Sequence, residues 1–274
     1  MRLGSIHIYP IKSTRGLDVT SAEVEPWGLA GDRRYMVVDP SGHVLTAREH
    51  PRMLAAAATL EGRELKVTGP HAEPLRVSPE PGGPLRRVTI WGDEVDAVDI
   101  GDEAAAWFTE LMGVPARLVW LDDPTRRPVP PGYGAPGDRV SFADGFPLLL
   151  ASTASLRRLN EWIAEDAVER GEEPPAPLPM RRFRPSIVVD DVAEPFAEDR
   201  WRRLRVGEVT FRQVKLCDRC VLTTIDPDTL TKGKEPIRTL ARHRRWDGKV
   251  WFAVNLIPDG TGTIRVGDPV TVEE

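Results

Sequence analysis

Glycine and proline interrupt this chain so often that long regular elements are excluded from most of it. The 274 residues include 23 glycines and 26 prolines, and the segments between them are short. Residues 34–39 and 43–46, separated by Pro40, Ser41 and Gly42, have the pattern of a β-hairpin. Further short strands are predicted at residues 87–91, 95–100, 186–189, 204–209 and 264–270.

Two segments instead have the spacing of helices. The first is predicted to begin at Asp102, as its cap, and to end at Gly113. The second is predicted to begin near Ser152 and to end before Gly171. Because strands and helices do not alternate, a parallel sheet of βαβ units is not expected. The predicted fold class is mainly β with packed helices (α+β), arranged as antiparallel barrels.

A proline-rich stretch divides the sequence near its middle. Residues 121–139 contain five prolines and three glycines, a composition that disfavours regular structure. We therefore predict an N-terminal domain over residues 1–122, a linker over 123–138 and a second domain over 139–274.

Charge and the N-terminus narrow the class of protein. The 37 basic and 42 acidic residues give a net charge of -5, so neither nucleic acid nor an anionic membrane is expected as the main partner. The first ten residues lack the pattern of a signal peptide, and no apolar run approaches the roughly 18 residues of a membrane span. A soluble cytoplasmic protein is expected.

The only two cysteines, Cys217 and Cys220, flank Asp218 and Arg219. A structural zinc site is disfavoured because it needs two further cysteines or histidines, and the five histidines show no paired spacing. A thioredoxin-like dithiol is disfavoured because residues 209–216 and 221–225 are both predicted as strands, without a helix. The thiols are then either small buried apolar groups or, with Arg219 favouring a thiolate, a ligand to a metal otherwise held by a cofactor.

Three basic segments are candidates for binding an anion. Lys12 stands beside the hydroxyls of Ser13 and Thr14, Arg33 begins a pair of arginines, and the segment 181–184 holds three. A solvated turn or edge is the default interpretation of each, because the sequence does not show whether they converge.

Together these motifs resemble a known family, proteins in which a MOSC domain follows a MOSC N-terminal β-barrel domain. The family includes the mitochondrial amidoxime reducing component, and the likeness spans nearly the whole chain in the same order. The segments that carry it are residues 9–13, 31–34, 46–48, 51–52, 142–147, 183–185, 217–229 and 262–270.

The resemblance implies a molybdenum cofactor, Mo-molybdopterin, with Cys220 as the metal ligand and Cys217 as a neighbour only. The residues implied in cofactor binding are Lys12, Ser13, Arg33, Asp144, Gly145, Phe146, Arg184, Asp218, Arg219 and Cys220. The chain departs from the family at Ser186, where asparagine is frequent, and we expect altered contacts there.

The resemblance also implies an oxidoreductase, independent of pyridoxal phosphate, that reduces small N-hydroxylated compounds with two electrons and two protons. The chain has no spare cysteines for an iron–sulfur cluster, so a separate donor is expected: a ferredoxin-like protein, a flavin reductase or a cytochrome b5-like protein. Asp226 and Asp228 are predicted either to pass protons or to form the turn around Pro227. The alternative function is a carrier of molybdenum cofactor or sulfur.

Overall fold

The computed structural model describes residues 1–70 and 72–273, and strands dominate it, which confirms the predicted fold class. The helices are α1 (Asp102–Met112), α2 (Thr153–Glu169) and α3 (Ile237–His243). The strands are β1 (Arg2–Ile8), β2 (Leu17–Val19), β3 (Ser21–Glu25), β4 (Gly28–Leu29), β5 (Tyr35–Val38), β6 (Ala57–Glu61), β7 (Glu64–Gly69), β8 (Ala72–Val77), β9 (Leu85–Ile90), β10 (Asp93–Asp99), β11 (Arg117–Trp120), β12 (Leu148–Ser152), β13 (Ile187–Asp190), β14 (Arg203–Val206), β15 (Val209–Asp218), β16 (Arg245–Trp246), β17 (Lys249–Pro258), β18 (Gly262–Arg265) and β19 (Val270–Val272). Short 3₁₀ helices lie at Pro51–Ala55, Pro124–Arg126, Met180–Phe183, Ala197–Arg200 and Val221–Thr224.

The chain forms two compact units, neither of which is continuous in sequence. The first unit comprises Met1–His7, Asp18–Pro26 and Leu148–Glu274. The second comprises Ile8–Leu17 and Trp27–Pro147. The division proposed from sequence, into domains at residues 1–122 and 139–274 with a linker at 123–138, stays a prediction.

The first unit is built on one large sheet whose strands follow the order β19-β14-β15-β17-β12-β13-β1-β2, with β16 paired to β17. Most neighbours are antiparallel, but β12 and β13 are parallel. Helix α2 makes the connection between these two strands and packs its apolar face on the sheet beside Phe183 and Phe252. A βαβ crossover therefore lies inside this mainly antiparallel sheet, an exception to the arrangement expected from sequence.

The second unit contains a sheet of order β5-β11-β10-β9 and a meander of β6, β7 and β8. A buried cluster that includes Met36, Val88 and Phe142 forms the core beside the first of these sheets. Helix α1 begins at Asp102, but its N-cap is Gly101, so Asp102 is not the predicted cap. Its carboxylate instead pairs with Arg117, at 3.0 Å. Gly113 ends the helix in the left-handed conformation, at φ 72°, as predicted.

Two predicted strands are not strands. Residues 43–46 make only isolated bridges, Val38 with Val44 and His43 with Thr89. Within the predicted strand 221–225, Val221–Thr224 form a 3₁₀ turn because the hydroxyls of Thr223 and Thr224 donate to the carbonyls three residues earlier, at 3.0 and 2.7 Å. Such local bonds compete with the hydrogen bonds of a sheet.

Candidate functional site

In the second unit, a tight turn after Pro10 directs Lys12 into the protein. The backbone N–H of Lys12 donates to the carbonyl of Tyr35 at 2.8 Å, and Thr14 bonds back to Ile11 through both its N–H and its hydroxyl. Ser13 takes the left-handed conformation, at φ 70°, which is rare for a residue with a side chain. The result is a lysine that is only 5% exposed.

The Lys12 ammonium has a restricted environment. Its Nζ donates to the carbonyl of Phe142 at 3.0 Å and forms an ion pair with Asp144. Burial lowers the pKa of Lys12 to about 8, although the Asp144 carboxylate opposes this shift; the positive charges of Arg127 and Arg33 lower the pKa further. This lysine therefore changes its charge near physiological pH, which an exposed lysine does not.

Arg33 is held by a buried carboxylate and an aromatic ring. Asp32, 1% exposed, accepts from the backbone N–H of Tyr9 at 2.8 Å and pairs with the Arg33 guanidinium. That guanidinium lies 4.4 Å from the centre of the Tyr9 ring. Arg33 itself has φ 48°, so a second non-glycine residue of this region is in the left-handed conformation. Such strain is typical of functional sites.

Three more side chains of this region were not predicted from the sequence as site residues. Two of them, Arg48 and Trp91, contact Asp144 directly. Arg48 lies 3.5 Å from the Asp144 carboxylate and stacks 4.4 Å from the centre of the Trp91 ring. The Trp91 indole N–H donates to Asp144 at 3.2 Å, and Lys12 lies 5.4 Å from the same ring. We refer to Lys12, Arg33, Arg48, Trp91 and Asp144 as the Lys12 cluster.

Two signals in the sequence could have found these residues. Arg48 lies in the motif 46–48, which was noted only for its family likeness. Trp91 precedes Gly92 in a two-residue hairpin turn between β9 and β10, where φ is 52° and 94°. A type I′ turn usually takes asparagine or glycine at the first of these positions, so a tryptophan there marks an unusual, partly exposed site.

The third side chain not predicted from the sequence is Arg127, which anchors the segment 123–138 within the second unit. It is 1% exposed, and its Nη1 donates to the carbonyls of Ser141 and Ala143 at 2.6 Å each. Its Nη2 pairs with Asp93 at 3.0 Å. The guanidinium therefore fixes the backbone immediately before Asp144.

The loop residues after Ala143 have different surroundings. The Asp144 side chain is 67% exposed although one of its partners, Lys12, is buried. Gly145 lies close to Pro130, so that a Cβ there would stand 3.3 Å from the proline ring. Phe146 is buried, with its ring edge-on to Tyr133 at 5.5 Å. Only Asp144 of these three presents a side chain that could meet a ligand.

In the first unit, Cys217 lies near the end of β15 and its thiol is engaged. The Arg219 Nη1 donates to the Cys217 Sγ at 2.8 Å, and the Arg219 Nη2 donates to the carbonyl of Phe183 at 2.7 Å. The backbone N–H of Arg219 bonds the carbonyl of Val250 at 2.8 Å. The guanidinium predicted to favour a thiolate is therefore placed on Cys217.

Asp218 lies between Cys217 and Arg219 in sequence, and its carboxylate pairs with two lysines. Lys215 lies 2.9 Å and Lys249 3.5 Å from its carboxylate oxygens. Burial alone would raise the pKa of Asp218, but the hydrogen bond and charge of Lys215 outweigh burial and lower the pKa. The side chain is thus an ionised partner of two lysines.

Cys220 begins the 3₁₀ turn and differs from Cys217 in its thiol. Its carbonyl accepts from the N–H and hydroxyl of Thr223, at 3.2 and 3.0 Å, so the backbone is fixed. Its half-buried Sγ makes no hydrogen bond within residues 1–70 and 72–273. Across these same residues, no group of three or more His, Cys, Asp or Glu side chains is placed to hold a metal ion.

Two further nitrogens of the first unit lack partners. The Nε atoms of Arg182 and Arg219 are buried, and neither has a hydrogen bond in the part of the chain that the structure describes. Arg184 ends the 3₁₀ helix Met180–Phe183 in the left-handed conformation, at φ 56°, and is half-buried. A buried polar nitrogen without a partner is uncommon in a folded protein and calls for a specific explanation.

Asp226 and Asp228 are held by arginines. Arg182 pairs with Asp226 at 2.9 Å, and Arg181 pairs with Asp228. Asp226 also accepts from the backbone N–H groups of Asp228 and Thr229, at 2.9 and 3.0 Å, and these bonds lower the pKa of its carboxyl. This geometry favours the turn-forming role that the sequence left open beside proton transfer.

Comparison with known proteins gives this geometry its context. The MOSC N-terminal beta barrel domain family matches residues 1–115, and the MOSC domain family matches residues 137–271. The mitochondrial amidoxime reducing component 2 of Rattus norvegicus is 35% identical over 98% of this chain and 82% of its own length. The mitochondrial amidoxime-reducing component 1 of Homo sapiens is 32% identical over the same shares. Among solved structures, the YUAD protein of Bacillus subtilis covers 98% of this chain and 93% of its own, with 10% identity and a TM-score of 0.41.

One prediction is wrong by this comparison. A cytoplasmic location was expected because the first ten residues do not have the pattern of a signal peptide, whereas the relatives that match almost the whole chain are named mitochondrial proteins. That pattern does not distinguish a cytoplasmic from a mitochondrial location. No helix in residues 1–70 and 72–273 is long and apolar enough to cross a membrane.

The matches to both families, in the order and over the length that the motifs indicate, confirm the resemblance drawn from the sequence. The chain belongs to the family of proteins in which a MOSC domain follows a MOSC N-terminal β-barrel domain, together with the mitochondrial amidoxime reducing components.

Proposed function

We propose that this protein is a molybdenum cofactor-dependent oxidoreductase that reduces N-hydroxylated compounds with electrons from a separate protein. The observation that carries the proposal is the Cys220 thiol. It is half-buried, its backbone is fixed by Thr223, and its sulfur makes no hydrogen bond in the described chain. Since no group of three or more His, Cys, Asp or Glu side chains in the described residues is placed to hold a metal, this thiol suits a metal whose remaining ligands come from a cofactor.

The two cysteines differ in a way that supports Cys220 as the ligand. The Cys217 sulfur already accepts a charged hydrogen bond from Arg219, which would have to break before that sulfur could bind a metal. The Cys220 sulfur has no such bond to lose. Arg219 then acts as a support for the turn, because it joins Cys217 to the carbonyl of Phe183.

The Lys12 cluster suits the phosphate end of a cofactor. Lys12, Arg33 and Arg48 place three cations around one largely exposed carboxylate, Asp144. Buried and partly buried cations with hydrogen-bond donors are the usual environment of a protein-bound phosphate. The donor set therefore fits the group that the family implies, with Ser13 adding a hydroxyl.

When bound, a molybdenum cofactor supplies the two-electron chemistry by which the oxygen of an N–OH group leaves as water. The residues of the chain bind and orient it: Cys220 would hold the metal, while Lys12, Ser13, Arg33 and Arg184 would hold the phosphate and pterin. Asp226 and Asp228 serve better as anchors for Arg182 and Arg181 than as proton donors, because both are engaged in ion pairs. The name of the relatives, amidoxime reducing components, agrees with this reaction class.

The experiment starts with protein purified from cells that make the cofactor. Bound molybdenum and pterin are measured, and benzamidoxime is offered with chemically reduced methyl viologen as electron source. We expect wild type and Cys217→Ala to bind molybdenum and turn over. We expect Cys220→Ala to lose both, because its metal ligand is gone.

Other outcomes decide between the remaining functions. Molybdenum binding without turnover in wild type would favour the carrier of cofactor or sulfur. Stoichiometric zinc without molybdenum would contradict both functions. Turnover retained in Cys220→Ala and lost in Cys217→Ala would reverse the assignment of the two thiols.

A further inference from the structure

A rigid hairpin of the first unit lies beside the turn that carries the two cysteines. Strands β16 and β17 are joined by a two-residue turn in which Asp247 has φ 52° and Gly248 φ 71°. This is the type I′ geometry, which fixes the twist of a hairpin and leaves little freedom to its tip. Every residue from 245 to 249 is exposed.

The hairpin presents aromatic and cationic side chains together. Trp246 is 39% exposed and stacks on the buried Trp251, with 5.9 Å between ring centres. Arg244 lies 4.9 Å from the Trp246 ring, and Lys249 lies 5.7 Å from the Trp251 ring. Tryptophan and arginine are the residues most enriched at the energetic centres of protein interfaces.

The charges of this surface are mostly paired, with one exception. Residues 242–249 contain four cationic side chains and one carboxylate, and three of the cations, Arg242, Arg244 and Lys249, pair with Asp166, Asp199 and Asp218. Arg245 makes no ion pair within residues 1–70 and 72–273, so its charge is not compensated by the protein. An exposed cation without an internal partner attracts an acidic group on a partner protein and raises the rate of association.

The same hairpin has a direct structural connection to the cysteine turn. In the pairing of β15 with β17, Asp218 lies opposite Trp251. The N–H of Arg219 bonds the carbonyl of Val250 at 2.8 Å, and Lys249 reaches Asp218 at 3.5 Å. The hairpin is therefore bonded directly to residues 218 and 219, which immediately precede Cys220.

We propose that the exposed hairpin at residues 245–249, which we term the Trp246 surface, docks a small electron-carrier protein through an acidic face on that carrier. The inference rests on the proposed function, because it assigns a place to the external electron donor that this function needs. The stacked pair of Trp246 and Trp251 would form the apolar centre of the contact, and Arg245 and Lys249 its charged rim.

The first test measures binding and needs no bound cofactor. The ¹⁵N-labelled protein is titrated with an oxidised plant-type [2Fe–2S] ferredoxin, used as an acidic probe, at low ionic strength. We expect shifts of the amide signals of residues 245–249 that vanish at high salt. Arg245→Glu should weaken binding about threefold to tenfold, and Trp246→Ala should weaken it further. Arg157→Glu reverses an exposed charge on α2 as a matched control and should change nothing.

The second test separates the docking surface from the reaction. Cofactor-loaded wild type, Arg245→Glu and Arg157→Glu reduce benzamidoxime with electrons from either ferredoxin or reduced methyl viologen. We expect Arg245→Glu to slow turnover with ferredoxin only, and ferredoxin with amidated carboxylates to be a poor donor to wild type. Absence of viologen turnover would overturn the proposed function. Ferredoxin that neither binds nor donates, or that serves Arg245→Glu as well as wild type, would overturn the docking surface.

Discussion

The Lys12 cluster and the segment 217–224, which we call the cysteine turn, differ in whether their polar groups already have partners. In the Lys12 cluster, buried cations already have carboxylate partners, Lys12 with Asp144 and Arg33 with Asp32. In the cysteine turn, the Cys220 sulfur and the Arg219 Nε have no hydrogen bond among the described residues. A ligand must therefore compete with an internal anion at the first place and can use free groups at the second.

This difference predicts how the two places respond to a ligand. An unpaired buried polar group costs about 1–3 kcal/mol, so a ligand that paired the Arg219 Nε would recover free energy that the protein lacks alone. At the Lys12 cluster, an incoming anion replaces the Asp144 interaction, and the net gain is smaller. The following predictions use sulfate as a probe of the cluster, because it stays a dianion across the neutral and alkaline range.

The largest effect is expected from Lys12→Met. Removing the buried ammonium leaves no cation at the centre of the cluster, so sulfate affinity measured by calorimetry should fall about 100-fold. Lys66→Met, which removes the other lysine of the second unit from strand β7, is the matched control and should leave affinity unchanged. Equal affinity in wild type and Lys12→Met would show that the anion binds elsewhere.

The next effect is on pH dependence. The pKa of Lys12 is lowered to about 8, so in the ligand-free protein the ammonium loses its proton between pH 7 and pH 9. Sulfate favours the charged form, and its affinity should therefore drop about tenfold over this range. In Lys12→Met the affinity should not change with pH. A wild-type affinity that rises with pH would contradict this assignment.

A smaller effect of opposite sign is expected from Asp144→Asn. The amide keeps the size of the side chain but removes the negative charge that competes with the ligand, so sulfate should bind about fivefold more tightly. Asp93→Asn, which alters the partner of Arg127 instead, serves as the control for general loss of negative charge. Weaker binding in Asp144→Asn would mean that the carboxylate organises the cluster.

The smallest effect is expected from Asp226→Asn, which lies just after the cysteine turn in the first unit and is tested by its activity. Its carboxylate holds the turn and Arg182, so turnover with reduced viologen should change by less than about twofold, while the free energy of unfolding should fall by about 1 kcal/mol. Urea denaturation and turnover are measured on the same preparation, with Asp228→Asn beside it. A loss of turnover far beyond twofold would restore the proton-transfer role.

The candidate site was predictable from sequence where one residue carries the chemistry. The cysteine pair stood out because soft ligands are scarce in this chain, and Lys12 and Arg33 because each adjoins turn residues. Arg48 and Trp91 were not assigned, since their role depends on packing against Asp144 from segments distant in sequence. The partner of Arg219 was also beyond the sequence, because both cysteines lie within reach of a flexible side chain.

For the fold as well, local structure was predictable from the sequence and pairing between distant segments was not. The short strands and both long helices follow from local pattern, and Gly113 ends α1 as predicted. The 3₁₀ turn after Cys220 was predicted as a strand because β-branched residues fill it, yet the hydroxyls of Thr223 and Thr224 bond the backbone instead. The parallel pairing of β12 with β13 was not foreseen, because a single crossover leaves no repeating pattern in the sequence.

The place of β1 in the large sheet has a consequence for how the protein is made. This strand pairs with β13, so that Arg2 faces Asp190 and Ile6 faces Ile187. At a synthesis rate of roughly 5–20 residues per second, the first strand leaves the ribosome many seconds before its neighbour exists. A fragment ending at residue 122 would carry this strand permanently without its partner, and its exposed edge would invite aggregation.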